Sequence, residues 1–313
     1  MDEVIMKQTV VLNLPPDKIR AMQQTYRSAL KPKTPAYAVF SASVDGVTIT
    51  AYQSGKVVFQ GLNAESIAKT WGTAEKKPAA AAKQSPLPKN FASWNVIGSD
   101  EVGNGSYFGP VVVCACYVTK EQMPLLKELG VKDSKELSDS SIRSIASDLV
   151  HVVPYQELIV TPEKYNQIQP EYNVNRMKVA LHNQAIHLLL NKIAPVKPDA
   201  ILIDQFTPEA NYRNYLKKEK HPVTDNLYFA TKGEQYHLSV AAASIICRTR
   251  FLEALDTAGN ELGFSVPSGA GKQSDLTAAR ILKRGGTALL GRYAKLHFAN
   301  TEKAKKLLPG NSY

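Results

Sequence analysis

Short apolar runs separated by turn residues dominate the first 72 residues. An apolar face at helical spacing follows Pro15-Pro16 and consists of Ile19, Met22, Tyr26 and Leu30. Asp45-Gly46 and Ser54-Gly55 are dipeptides typical of hairpin turns. The pattern predicts strands at residues 3–14, 37–44, 47–52 and 56–60, and helices after Pro16 and at residues 64–71. This β-α-β-β-β-α order predicts a small α+β domain over residues 1–72.

A larger α/β domain is predicted over residues 91–313. Its first strand is expected to stop at Asp100-Glu101, and a helix is expected to open at Lys232-Gly233-Glu234 and to run through Leu255. Further strands are predicted at residues 109–119, 156–160, 200–203 and 223–229, and further helices at 137–148, 177–193, 275–283 and 287–308. The apolar face of helix 177–193 is expected to contain Ala180, Leu181, Ala185, Leu188 and Leu189.

Residues 73–90 are rich in Ala, Pro and Lys and have no apolar periodicity, which is typical of a linker. The chain is therefore expected to consist of a small domain, a tether and a larger domain. The sequence contains no internal repeat.

The net charge of +10 indicates a polyanionic partner, either nucleic acid or an anionic membrane surface. Residues 1–90 contain twelve Lys or Arg and six Asp or Glu, so much of the excess is local. We expect a twisted sheet with a basic face that binds a nucleic-acid backbone; lysines of an ordinary solvated surface are the alternative. No segment has the length of a transmembrane helix, and the N-terminus lacks an apolar signal core, so a cytoplasmic protein without membrane contact is expected.

Three cysteines, Cys114, Cys116 and Cys247, are interpreted as reduced core residues. Cys114 and Cys116 lie two apart in an apolar strand and share one face. A zinc site is not expected, because no second close Cys or His pair accompanies them.

Four carboxylates follow apolar strands or open a helix. Asp100 and Glu101 end one strand, Asp204 ends a second strand of similar character, and Glu234 lies at a predicted helix start. Sites in open α/β sheets collect at the carboxyl ends of strands, and carboxylates gathered there repel one another unless cations neutralise them. Mg²⁺ or Mn²⁺ are the expected ions, and two of them about 3.5–4 Å apart would serve phosphodiester hydrolysis. Each carboxylate alone is more often a turn residue or a helix cap.

Gly103 and Gly105 follow the first acidic pair closely. Glycine permits close backbone approach, which in a nuclease could present backbone groups to a ribose 2′-hydroxyl. A tight turn is the alternative. A dinucleotide-binding loop is a poor match, because the glycine spacing is wrong and the acidic pair would repel a pyrophosphate.

Five segments together resemble the bacterial ribonuclease HIII family, a type 2 ribonuclease H family, and they cover most of residues 95–255. They are GSDEVGNGSYFGPVVVCACYV, VKDSKELS, YNVNRMKVALHNQA, AILIDQF and KGEQYHLSVAAASIICRTRF. The leading domain resembles that family's TBP-like substrate-binding domain. Ribonuclease HII shares the catalytic core but usually lacks a leading domain, and it usually has Asp where this chain has Glu234.

The resemblance implies an RNase H-like catalytic domain, a mixed sheet flanked by helices, preceded by a small α+β TBP-like domain. It implies endonucleolytic cleavage of the RNA strand of RNA–DNA hybrids, with 5′-phosphate and 3′-hydroxyl products. The family's catalytic and metal-binding residues correspond to Asp100, Glu101, Asp204 and Glu234. Its substrate-binding residues correspond to Gly103, Asn104, Gly105, Ser134 and Lys135.

The chain departs from the family at Ser106, where the family has Asp, and this could alter activity or metal preference. A monomer with no protein partner is expected. Two alternative functions stay open: a ribonuclease HII-like enzyme that incises at single ribonucleotides in DNA, and a non-catalytic hybrid-binding protein.

Overall fold

The computed structural model describes residues 8–35, 38–72 and 87–308. The chain divides between Gln84 and Ser85 into two compact units. Most of the predicted linker, residues 73–86, lies outside the described residues, as do residues 3–7 and Tyr37 of the predicted strands. Leu87 and Phe91 pack in a core cluster of the second unit. No helix in these described ranges is long and apolar enough to cross a membrane.

The first unit is an antiparallel sheet with two helices on one face. Its elements are β1 (Gln8–Asn13), α1 (Pro16–Thr25), β2 (Ala38–Val44), β3 (Val47–Tyr52), β4 (Lys56–Gly61) and α2 (Ala64–Lys69). The strand order is β1-β4-β3-β2. Ile19 and Met22 of α1 pack against sheet residues such as Ile49 and Phe59. Asp45 and Gly46 both have positive φ, as a tight hairpin turn requires. The predicted small α+β domain is confirmed.

The face of the sheet away from the helices has few basic side chains among the residues that the structure describes, and the expected basic face stays a prediction. On the strands, the side chains facing away from the helices are mostly hydroxyls, amides and valines. The exposed members of this face are Thr9, Val11, Asn13, Val39, Ser43, Lys56 and Gln60. Lys31 reaches the same face from the edge, where its Nζ donates to Thr48 Oγ1 at 3.0 Å. The other basic side chains that the structure describes in this unit lie on helices and loops, because a count of charges does not fix which face carries them.

The second unit is a five-stranded mixed sheet flanked by helices, which confirms the predicted fold class. Its strands are β5 (Val96–Val102), β6 (Val111–Val118), β7 (Tyr155–Val160), β8 (Ala200–Asp204) and β9 (Leu227–Ala230). Its helices are α3 (Met123–Glu128), α4 (Asp139–Val152), α5 (Pro162–Ile168), α6 (Val174–Ile193), α7 (Glu209–Leu216), α8 (Leu238–Leu262), α9 (Lys272–Gly291) and α10 (Ala299–Lys306).

The strand order in this sheet is β7-β6-β5-β8-β9. β5, β8 and β9 are parallel, whereas β6 pairs antiparallel with both β5 and β7. Core residues of α8, α4 and α9 form one hydrophobic cluster, and those of α6 and α7 form another with the sheet. The central strand β5 is therefore covered by α8 on one face and α6 on the other.

Several predicted boundaries are wrong. β5 ends one residue beyond the predicted Asp100-Glu101, because its ladder with β6 continues to Val102. Glu234 does not lie on a helix that continues into α8: it sits in a separate 3₁₀ turn, Gly233–Gln235, and α8 begins at Leu238. The helix predicted at residues 275–283 extends to Gly291 across a kink at Gly285 and Gly286. The short helices α3, α5 and α7 were not predicted.

Gly98 allows α8 to approach β5 closely. A Cβ atom at this position would lie 2.3 Å from the Val240 nitrogen and 2.4 Å from the Ser239 carbonyl carbon. Real Cβ atoms do not come this near to backbone atoms, so a larger residue would push α8 away from the strand that carries Asp100. The glycine thus sets the distance between the central strand and the longest helix.

We expect Gly98→Ala to lower the free energy of unfolding by about 3 kcal/mol, because a clash with backbone cannot be relieved by a side-chain rotation. Urea unfolding measures the effect. Gly105→Ala is the matched control, since nothing lies within 4 Å of a Cβ there; we expect it to change stability by less than about 0.5 kcal/mol. Equal stability of the two variants would contradict the close approach of α8.

Candidate active site

The four predicted carboxylates lie at or just beyond the carboxyl ends of the parallel strands. In the parallel pairing of β5 with β8, Ser99 is opposite Ile203, so Asp100 and Asp204 follow at the same edge. Glu234 lies on the 3₁₀ turn that follows β9. This edge is where α/β sheets usually place their sites.

Asp100 is a buried carboxylate among like charges. Its side chain accepts a hydrogen bond from the Glu101 amide at 2.7 Å and one from Ser244. Burial, followed by the negative charges of Glu101 and Asp204, raises the pKa of Asp100 well above its ordinary value. A cation bound next to Asp100 would therefore stabilise its ionised form.

Glu101 has the opposite environment. Its Oε1 accepts from Lys178 Nζ at 2.9 Å, and its Oε2 lies 3.0 Å from His182 Nε2. His182 Nδ1 lies 2.7 Å from Ser99 Oγ, so a ring that donates to Glu101 can accept from the Ser99 hydroxyl. Burial alone would raise the pKa of Glu101, but hydrogen bonds and charge from His182 and Lys178 outweigh it and lower the pKa. Glu101 is thus fixed as an ionised carboxylate.

Lys178, His182 and Ser99 were missed by the sequence prediction. Lys178 and His182 are 4% and 0% exposed and lie one turn apart on α6, on its buried face. Of the predicted apolar face, Ala185 and Leu189 are buried. The available signal was the spacing of a lysine and a histidine by four residues on a helix face that is mostly apolar.

Asp204 and Glu234 are linked through the turn after β9. Asp204 Oδ1 accepts from the Gly233 amide at 2.9 Å, which ties this turn to the end of β8. The Glu234 side chain is 6% exposed, and its Oε1 lies 3.8 Å from Lys135 Nζ. That oxygen has no hydrogen-bond partner among the described residues. Burial, with smaller effects from Asp204 and Asp133, raises the pKa of Glu234 although Lys135 opposes this.

The side chains fit a hard divalent cation. The donors are carboxylate oxygens, the ligands that Mg²⁺ and Mn²⁺ prefer. Lys135 Nζ lies 3.8 Å from the buried Oε1 of Glu234 without a hydrogen bond, and the pKa of Asp100 is raised, so further positive charge would stabilise both carboxylates. Within residues 87–308 and the described part of the first unit, no three His, Cys, Asp or Glu side chains converge closely enough to hold one ion. This agrees with the engagement of both Glu101 oxygens by Lys178 and His182.

The remaining predicted substrate-binding residues lie on two loops. Ser134 and Lys135 belong to a 3₁₀ turn, and Ser134 Oγ lies 2.9 Å from Ser244 Oγ, the same serine that contacts Asp100. Gly103, Asn104 and Gly105 lie in the loop between β5 and β6, which we call the glycine loop (residues 103–110).

The glycines of this loop have different roles. Gly103 has φ +96°, and a Cβ there would lie 2.1 Å from the Pro110 carbonyl oxygen, so the turn itself requires glycine. Gly105 is exposed and a Cβ there would meet nothing within 4 Å. The tight-turn interpretation therefore explains Gly103 but not Gly105.

Ser106, the departure from the family pattern, is buried within the glycine loop. Its hydroxyl donates to the Phe108 carbonyl at 2.9 Å and accepts from the Gly269 amide at 3.0 Å. Its side chain therefore supports the base of the loop, with both of its hydrogen bonds going to backbone groups.

Comparisons with known proteins agree with this fold. A family model described as Ribonuclease HII matches residues 97–301, which gives the class of the second unit. A model described as a domain of unknown function, DUF3378, matches residues 9–84. Ribonuclease HIII of Enterococcus faecalis is 58% identical over 305 residues, which are 97% of this chain and 100% of that protein. Ribonuclease HIII of Bacillus cereus is 48% identical over 310 residues, with 97% and 100% covered.

A solved structure extends the agreement to three dimensions. The crystal structure of Bst-RNase HIII in complex with Mn²⁺ matches with a TM-score of 0.68 and 39% identity, covering 95% of this chain and 98% of that one. The chain belongs to the ribonuclease HIII family and is a ribonuclease H. The family resemblance read from the sequence is confirmed.

We expect Asp100→Asn to stabilise the protein at pH 7.5 without divalent cations, by about 1–2 kcal/mol. The raised pKa means that folding favours the protonated carboxyl, so stability is lost as pH rises and Asp100 ionises. The gain should vanish below the unfolded-state pKa of about 4. Urea unfolding in EDTA across this pH range measures it.

Glu101→Gln is the control, and its effect on the free energy of unfolding should have the opposite sign. The lowered pKa of Glu101 stabilises the fold above the unfolded-state pKa, and this contribution disappears as pH falls through the folded value. At pH 7.5 the variant leaves the buried Lys178 unpaired, so we expect a loss of about 3 kcal/mol. Destabilisation by Asp100→Asn at pH 7.5 would contradict repulsion at this site.

Proposed function

We propose that the protein is an endonuclease that hydrolyses the RNA strand of RNA–DNA hybrids and leaves 5′-phosphate and 3′-hydroxyl ends. The observation that carries the proposal is the gathering of Asp100, Glu101, Asp204 and Glu234 at one edge of the sheet, with a buried Glu234 oxygen that has no hydrogen-bond partner among the described residues. Membership of the ribonuclease HIII family supports it.

The four carboxylates are proposed to hold two Mg²⁺ or Mn²⁺ ions, as the Mn²⁺ complex of the structural neighbour suggests. When bound, the ions would supply positive charge for activating water and for stabilising the leaving oxygen. Lys178 and His182 keep Glu101 ionised and oriented, while Ser244 and the Glu101 amide orient Asp100. The carboxylates of Asp100 and Glu101 are thereby held in fixed orientations.

The glycine loop and the neighbouring turn are proposed to bind the substrate backbone. Neither the Asn104 amide nor the Gly105 amide has a hydrogen-bond partner among the described residues. An exposed glycine with free space above it admits the close approach of a ribose, whose 2′-hydroxyl can accept or donate a hydrogen bond. Ser134 and Lys135 are proposed to contact a phosphate, and Lys135 is 77% exposed for this purpose.

The first unit is proposed to be a TBP-like substrate-binding domain over residues 1–72, joined by the 73–90 linker to the catalytic domain at 91–313. Its helix-free sheet face offers hydroxyl and amide groups, which suit hydrogen bonding to sugar and phosphate. A cytoplasmic monomer is part of the proposal. The three free, buried thiols, Cys114, Cys116 and Cys247, support a reducing compartment.

Cleavage of a labelled RNA–DNA hybrid tests the function. With Mg²⁺ or Mn²⁺ we expect 5′-phosphorylated RNA fragments, and a loss of rate on the order of 10³-fold or more for Asp100→Asn. Asp148→Asn is the matched control: it makes the same substitution on the exposed side of α4 and should keep full activity.

Two other substrates separate the alternatives. A DNA duplex with one ribonucleotide should be cut more slowly than the long hybrid, and the reverse order would favour a ribonuclease HII-like specificity. Salt-sensitive binding of an intact hybrid, without cleavage under any divalent cation, would instead indicate a non-catalytic binding protein.

A further inference from the structure

Lys295 is a fully buried lysine beneath the glycine loop. It lies between α9 and α10 and is 0% exposed. Its Nζ donates to the Ser106 carbonyl at 2.8 Å and to the Gly109 carbonyl at 2.5 Å. The same Nζ lies over the ring of Tyr165, 5.8 Å from the ring centroid. Among the described residues it forms no ion pair, so its partners are two backbone carbonyls and a ring.

Burial of a lysine without a counter-ion is unfavourable for folding. Desolvation lowers the pKa of Lys295 to about 7, which is the expected response to this environment. An apolar side chain of similar volume would fill the space without that cost. The ammonium differs from such a side chain in one respect, since it directs strong hydrogen bonds to two carbonyls at once.

The backbone around Lys295 also holds the base of the glycine loop. The Lys295 amide donates to the Tyr107 carbonyl at 2.9 Å, and the Gly109 amide donates to the Tyr293 carbonyl at 3.0 Å. These contacts fix residues 106–109, whereas Asn104 and Gly105 at the tip leave their amides without described partners. The loop is thus anchored on one side and open on the other.

We propose that Lys295 is a positioning residue for the substrate, which holds the base of the glycine loop so that its tip meets the hybrid backbone. The inference rests on the proposed function of this loop. Lys295 lies beneath the loop and acts through residues 106–109 without touching the substrate. Its loss should therefore weaken substrate binding much more than it slows the chemical step.

Binding in an inactive background isolates this effect. Fluorescence anisotropy with a labelled RNA–DNA hybrid compares full-length Asp100→Asn with the double variant that adds Lys295→Met. We expect Kd to rise about tenfold, the scale of losing a hydrogen bond to a charged group. Lys283→Met in the same background is the charge control: it removes one positive charge from an exposed position of α9. It should change Kd less than about twofold.

Kinetics of the otherwise unchanged enzyme separate positioning from folding. For Lys295→Met we expect KM to rise about tenfold while kcat stays within about threefold. A purely structural role would reduce the fraction of active enzyme, so kcat would fall and KM would not change. If Lys295→Met does not fold, Lys295→Gln retains an amide donor, and the same rise in KM is expected with a smaller amplitude.

Two results must be distinguished. If the wild type cleaves hybrids and the Lys295 variants keep their KM and Kd, the role of Lys295 is wrong and the proposed function stands. If the wild type neither cleaves nor binds hybrids, the proposed function itself is wrong. An equal effect of Lys283→Met would also overturn the inference, because the loss would then reflect net charge alone.

Discussion

The concentration of negative charge at one edge of a buried sheet is the constraint on which this structure depends. Asp100 is next to Glu101 in the central strand, and Asp204 ends the neighbouring strand β8 at the same edge. Burial and repulsion between these carboxylates therefore both raise the pKa of Asp100. The protein neutralises one of these charges internally, through Lys178 and His182, and leaves Asp100 and Glu234 with raised pKa values. Such an arrangement costs folding free energy and prepares the edge for cations.

Neighbouring elements hold this edge in place. Gly98 lets α8 lie against β5, which brings Ser244 to the side chain of Asp100 and Cys247 to its backbone carbonyl. On the opposite face, α6 delivers the two residues that pair with Glu101. The glycine loop continues directly from β5, so the same strand that carries the acidic pair also positions the proposed ribose-binding tip.

The sequence predicted the strands and their acidic ends because both follow from local patterns: apolar runs that end in acidic residues. The mixed arrangement of the sheet was implied by the family resemblance. The sequence did not predict Lys178, His182 or Lys295, since a polar residue in a helix or a distant loop gives no local sign of its partner. The basic sheet face stays a prediction for a related reason, because composition does not assign charges to a face. Glu234 was placed on the wrong element, as nothing in Lys232-Gly233-Glu234 separates a 3₁₀ turn from a helix start.

Anomalous scattering from a crystal grown with Mn²⁺ tests the central claim most directly. The account predicts manganese peaks bounded by oxygens of Asp100, Glu101, Asp204 and Glu234, and no such peaks in crystals of Asp100→Asn. Manganese bound away from these carboxylates, or unchanged peaks in the variant, would contradict it.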